Sequence, residues 1–170
     1  MGFHRSAVPE IATLLLGTFA PRENMEHFVE DLFFCCLIGA ICAHAKNYAL
    51  LLGSKNVAFL SPLYDAASVL GCSEMRRKAR LTMSIGGEMR LGRMSRQALE
   101  RFAAAGKLEE LGPDVSWCIS LMQDIGKKIL AKEASLFDEL ACIPGMEELR
   151  AHLGAPLVEN VSSILACIES

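Results

Sequence analysis

Two oxygen-bearing side chains, Asn47 and Asp65, stand where a short hairpin would bring them together. The stretch from Leu37 to Asp65 reads LIGAICAHAKNYALLLGSKNVAFLSPLYD. Tyr48 to Leu52 and Val57 to Leu60 are apolar and strand-like, and Gly53-Ser54-Lys55-Asn56 between them is turn chemistry. With the turn centred between Ser54 and Lys55, Asn47 lies near Pro62, and Asp65 follows three residues on. An amide and a carboxylate at the open end of one hairpin suit a hard cation such as Mg²⁺. That ion takes oxygen ligands and is usually held by one or two side chains plus substrate phosphates. Both residues also have a plainer use, Asn before a strand and Asp as N-cap of a helical turn beginning at Ala66.

The residues before Asn47 add to this pattern. Protein kinases place an Asp base five positions ahead of a metal-binding Asn, with a second metal-binding Asp on a later strand end. Here the residue five positions before Asn47 is Cys42. A thiol is a weak hydrogen-bond acceptor and cannot orient a serine hydroxyl as a carboxylate does. Cys42 with His44 also suggests a cysteine hydrolase, but the two are close in sequence and no third group is placed to orient the histidine. His44 fits a structural role in the loop, and Lys46 either a solvated surface or a contact to phosphate.

The run LIGAICAHAKNYALLL, then LSPLYD, then LTMSIGGEMRL, resembles the C-terminal lobe of HipA-type kinases. These are serine/threonine-kinase toxins of bacterial toxin–antitoxin pairs. The family's loop resembles IGxxDxHAKN followed by a hairpin and a PxYD motif. The resemblance covers about Phe28 to Gly87 and extends more loosely to the C-terminus. It implies Asn47 and Asp65 as Mg²⁺ positions, His44 and Lys46 as catalytic-loop residues, and Lys46 also as a contact to ATP. The family's Asp base falls on Cys42. It further implies a protein substrate and either an antitoxin of HipB type or a separate N-lobe chain as partner.

The elements that must position these residues are mostly helical. Pro9 to Phe19 has helical spacing at Ile11, Leu14, Leu15 and Phe19, with Pro21 as a stop. A second helix starts near Asn24 as N-cap and carries Met25, Phe28, Val29, Leu32 and Cys36 on one face. Its apolar end delivers the chain to the polar loop. Ala66 to Leu70 reads as one helical turn, Ser73 to Arg80 as a polar basic stretch, and Leu81 to Ile85 as a short strand ended by Gly86-Gly87. Further helices run over Met94 to Ala105 with Gly106 past the end, and from Pro113 or Asp114 towards Leu140. Two more cover Pro144 to Leu153 and Pro156 to Ile168. The expected class is α+β, predominantly helical: a kinase-like C-lobe with a small β-hairpin at the catalytic loop. It is one domain spanning 1–170.

Composition narrows the classes. Apolar residues make up 52% of the 170, which excludes a disordered chain. The formal charge of -3 gives no general reason to expect nucleic acid. The seven cysteines are odd in number and form no C-x-x-C pair, so free thiols in a reducing cytoplasm are expected, without zinc. The apolar run Leu32 to Ala43 is too short to cross a bilayer, and no membrane partner is expected. Arg76, Arg77, Lys78 and Arg80, with Arg90, Arg93 and Arg96 nearby, form the densest positive cluster. A solvated loop is the preferred reading, and a phosphate or acidic-partner site the alternative. No G-x-G-x-x-G and no strand-borne lysine precedes Cys42, so the nucleotide-binding N-lobe is expected to be absent. An apolar face including Leu14, Leu15, Phe19 and the start of the hairpin should then lie exposed. The expected product is a shortened and inactive kinase lobe, or else a non-catalytic interaction module.

Overall fold

The computed structural model describes residues 7–54, 57–105, 108 and 113–169. The elements in chain order are α1 (Val8–Leu16), α2 (Pro21–Ile38), a 3₁₀ turn (Ala45–Asn47), β1 (Leu50–Leu52), β2 (Ala58–Leu60), α3 (Ser73–Lys78), β3 (Arg80–Ile85), β4 (Glu88–Arg90), α4 (Arg96–Ala105), α5 (Val115–Glu139), α6 (Met146–Leu149), a π-helical turn (Arg150–Gly154) and α7 (Ala155–Glu169). The strands form two antiparallel pairs, β1–β2 and β3–β4. The domain is thus α+β and predominantly helical, as the sequence pattern implies.

Helix α2 is the hub, with α1, β2, α5 and α7 packed around it. Met25, Phe28, Val29, Phe33, Cys36 and Leu37 are fully buried along it. Proline starts this helix rather than stopping the previous one: Pro21 is in its first turn, where the missing N–H costs nothing. Asn24 is therefore not an N-cap. It is buried, its Oδ1 accepts from the Leu60 N–H at 2.9 Å, and its Nδ2 donates to Thr18 Oγ1 at 2.9 Å. One side chain fixes β2 to the side of α2. Helix α1 ends at Leu16 and turns Val8, Ala12 and Leu15 inward, so Leu14 and Phe19 point out instead of joining the core.

The β1–β2 register pairs Leu50 with Leu60 and Leu52 with Ala58, one residue off the expected pairing. Residues 55 and 56 of the expected turn lie outside the described residues, as does Gly106. No helical turn follows Asp65, and the chain from 61 to 69 has no regular structure. The basic stretch expected as a loop is helix α3 running into β3. Gly86 and Gly87, at φ 57° and 86°, form a two-residue turn that adds the unanticipated β4. A side chain at Gly86 would overlap the carbonyl of Ala98 on α4.

Asp114 caps α5 by accepting from the Trp117 N–H at 2.7 Å. Ser95 does the same for α4 towards Ala98 at 3.3 Å. The two helices expected at the C-terminus are joined through the π-turn, which sits just before Pro156, whose nitrogen cannot continue the α-helical ladder. The continuous run Met146–Glu169 is long and apolar enough by composition to cross a bilayer. Its apolar side is in the core: Val161, Ile164 and Ile168 are fully buried.

Candidate functional site

The loop at Cys42 is built on the C-terminus of α2. Gly39, at φ 70°, caps that helix in the left-handed region, and a Cβ there would lie 2.6 Å from Leu70 Cγ. From this point backbone carbonyls are taken one after another. Val69 N–H donates to Gly39 O at 3.1 Å. Thr82 on β3 donates twice to Ile41 O, through its N–H at 3.2 Å and its Oγ1 at 2.6 Å. His44 N–H donates to Cys42 O at 2.8 Å. Ala40 and Ala43 point inward with Cys35 and Leu63, which leaves Cys42 and His44 facing solvent.

Asn47 closes the 3₁₀ turn and is buried at 5% exposure. Its Oδ1 accepts from the His44 N–H at 3.3 Å, and its Nδ2 donates to Asp65 Oδ2 at 3.0 Å. The expected meeting of Asn47 and Asp65 is therefore present despite the shifted register. Tyr64 ties the two segments a second time, its hydroxyl donating to Lys46 O at 3.1 Å. Asp65 is exposed and adopts φ 56°, the single non-glycine residue at positive φ among those described. Aspartate tolerates this region better than most residues, and such strain collects at functional positions. With no helix after it, Asp65 is not an N-cap.

Of the five expected site residues, Asn47 and Asp65 make direct side-chain contact. Cys42, His44 and Lys46 share the loop, all three exposed, and Lys46 makes no ion pair among the described residues. No hydrogen bond links the Cys42 thiol to the His44 ring among the described residues, which disfavours a cysteine hydrolase. One amide and one carboxylate oxygen fit a hard cation completed by water and phosphate. Among the described residues no group of three or more His, Cys, Asp or Glu could hold a metal. In the arrangement seen, the Asn47 carbonyl oxygen faces His44 and its NH₂ faces Asp65. Holding a cation between the two side chains requires that amide to turn over.

Several polar groups carry no local sequence signal. Thr82 and Asn24 are two. A third is Asn160 on α7, buried, whose Nδ2 donates to Leu37 O at 2.8 Å and satisfies the end of α2. Near the loop, burial pushes Asp31 up to about 6, with Glu30 adding to the shift and His27 opposing it. Burial, followed by the charge of Asp31, lifts Cys35 to about 11. Burial first, then Cys35 and Asp31, also raises Tyr48, whose hydroxyl is buried without a hydrogen-bond partner among the described residues.

A helical α+β domain whose polar loop is backed by a hairpin bearing Asn and Asp defines a recognisable class. The sequence matches the HipA-like C-terminal domain over residues 2–133, and the protein belongs to that family. Among solved structures it is similar to a chain of the Shewanella oneidensis MR-1 complex of HipA, HipB and operator DNA. That match has a TM-score of 0.78 and 20% identity, and covers 95% of this chain. The chain spans 36% of the length of that neighbour. Curated protein sequences offer no significant match.

Proposed function

We propose that the chain is the C-terminal lobe of a HipA-like serine/threonine-protein kinase toxin whose catalytic step is lost at position 42. The observation that carries this reading is the 3.0 Å contact between Asn47 and Asp65, beside a loop that presents Cys42 to solvent. Asn47 and Asp65 would hold Mg²⁺, which neutralises charge on the phosphates of ATP during transfer. Lys46, exposed and unpaired among the described residues, would meet a phosphate oxygen. Cys42 supplies neither the charge nor the acceptor that a hydroxyl nucleophile needs. The reading implies a cytoplasmic protein with a HipB-type antitoxin as partner. The Shewanella neighbour was solved with HipB and with operator DNA, so the expectation of no nucleic acid finds no support there.

A non-catalytic interaction module is the second reading, favoured by one surface. Phe19 is 69% exposed, Leu51 55% and Leu52 83%, and the Phe19 ring packs edge-on to Phe59 at 5.7 Å. Leu14 is exposed too, whereas Leu15, expected on this face, is fully buried because it follows Ala12 into the core. Apolar surface of this kind marks an interface, and an N-lobe is its natural occupant. The test of inactivity is incubation of the chain with labelled ATP and Mg²⁺. Incorporation should not exceed that of Asp65→Ala, and phosphate above that control would sink the proposal.

A further inference from the structure

The basic residues set aside as solvated surface converge. Arg76, Arg77 and Lys78 from α3, Arg80 from β3, and Arg90 and Arg93 from β4 and its exit line one hollow of about 450 Å³. These are six of the chain's 17 lysines and arginines, in a protein of net charge -3. No acidic residue lines the hollow, and none of the six side chains makes an ion pair or hydrogen bond among the described residues. Helix electrostatics accounts for Arg76, Arg77 and Lys78, which occupy the last turn of α3 where cations are favoured. It does not account for the other three. Arg80 and Arg90 are direct cross-strand partners, an arrangement of like charges that destabilises a strand pair. Among the described residues no carboxylate forms an ion pair with either arginine.

We infer that this hollow binds a compact anion bearing two or more linked phosphates. The inference is independent of the kinase reading, because neither Asn47 nor Asp65 lines the hollow. Guanidinium forks match phosphate oxygens in pairs, and six converging charges exceed what one phosphate neutralises. The volume is that of a small-ligand site. The remaining lining, Ala79 and Leu91, offers no aromatic platform, so phosphate rather than a stacked base is recognised. Phosphates of a nucleic-acid backbone share this chemistry, and the titration separates the two sources.

Isothermal titration of the full chain with inorganic tripolyphosphate, and separately with a 20-base-pair DNA duplex, tests this. Tripolyphosphate should bind, and its affinity should fall at least tenfold in Arg80→Glu and in Arg90→Gln. The Arg80→Glu chain should melt no lower than the parent, since the substitution replaces a repulsive pair with an attractive one. Arg90→Gln relieves the repulsion without reversing charge and serves if the first variant folds poorly. Lys127→Glu with Lys128→Glu on α5 should leave the titration unchanged. Absence of tripolyphosphate binding, equal losses in the α5 variant, or duplex binding that tripolyphosphate does not displace would each overturn the inference.

Discussion

The loop around Asn47 and the hollow around Arg80 treat their polar groups oppositely. In the loop, polar groups are spent on one another. The Asn47 amide is held between the His44 N–H and the Asp65 carboxylate, and the carbonyls of Gly39, Ile41, Cys42 and Lys46 all accept hydrogen bonds. In the hollow, six cations face one another with no partner among the described residues. Side chains that satisfy each other stabilise the free protein and must exchange partners to take a ligand. Side chains that repel each other cost stability and persist where something else neutralises them. In the free protein Asn47 and Asp65 hold each other, so a cation would have to replace that contact, whereas the cations of the hollow have no such contact to give up among the described residues.

The largest effect expected comes from returning a charge to the loop. In a chain fused to a related N-lobe, Cys42→Asp should raise phosphoryl transfer by about 10²–10⁴-fold, the usual contribution of a general base. Nucleotide affinity should change much less, because neither metal position depends on residue 42. Cys42→Asn is the control, and equal recovery by it in a single-turnover assay would show that position 42 is not a base position.

A smaller effect measures how far the loop is structural. Asn47→Ala leaves a buried neighbourhood with its hydrogen bonds unmade and should cost about 1–3 kcal/mol. Lys78→Ala, in the hollow, should stay within about 0.5 kcal/mol. Urea unfolding of the two variants decides this, and equal stability would erase the contrast between the regions.

The smallest effect is a pH dependence beneath the loop. Asp31 has a folded value of about 6 against an ordinary 3.8, raised chiefly by burial. Its contribution is therefore full below pH 3.8 and is lost as pH rises through 6. Asp31→Asn should raise the unfolding free energy at pH 7 by about 1 kcal/mol once solvent screening is allowed for, and leave it unchanged near pH 3.5, as urea unfolding at the two pH values would show. A gain of equal size at both pH values would mean that the carboxyl's charge is not the cause.

Asn47 and Asp65 were legible because a hairpin returns the chain to its start whatever its register, so a slip of one residue did not separate them. The buried face of α2 was legible because Met25, Phe28, Val29 and Leu32 repeat at helical spacing among polar residues. Helix α1 offered no such contrast: Ile11, Leu14, Leu15 and Leu16 are all apolar, and packing of Ala12 decided which side went in. Helix α3 and strand β4 are short and polar, with no periodicity to read. Asn24 looked like a cap by residue type, and only its distance from Leu60 in the fold shows that it is a clamp. The hollow was visible as composition, but its convergence depends on the Arg80–Arg90 register, which no local pattern specifies.

The hydrogen bond from Asn160 to Leu37 spans 123 positions of sequence. The helix end that launches the polar loop is therefore completed by a residue far along the chain from it. Such separation raises contact order, and the entropy of closing so long a segment is spent before the contact returns anything. The carbonyls of Cys35 and Cys36 accept locally from the N–H groups of Ala40 and Gly39, whereas that of Leu37 takes its hydrogen bond from Asn160 on α7. The approach to position 42 thus depends on a contact that its neighbouring segments cannot make alone.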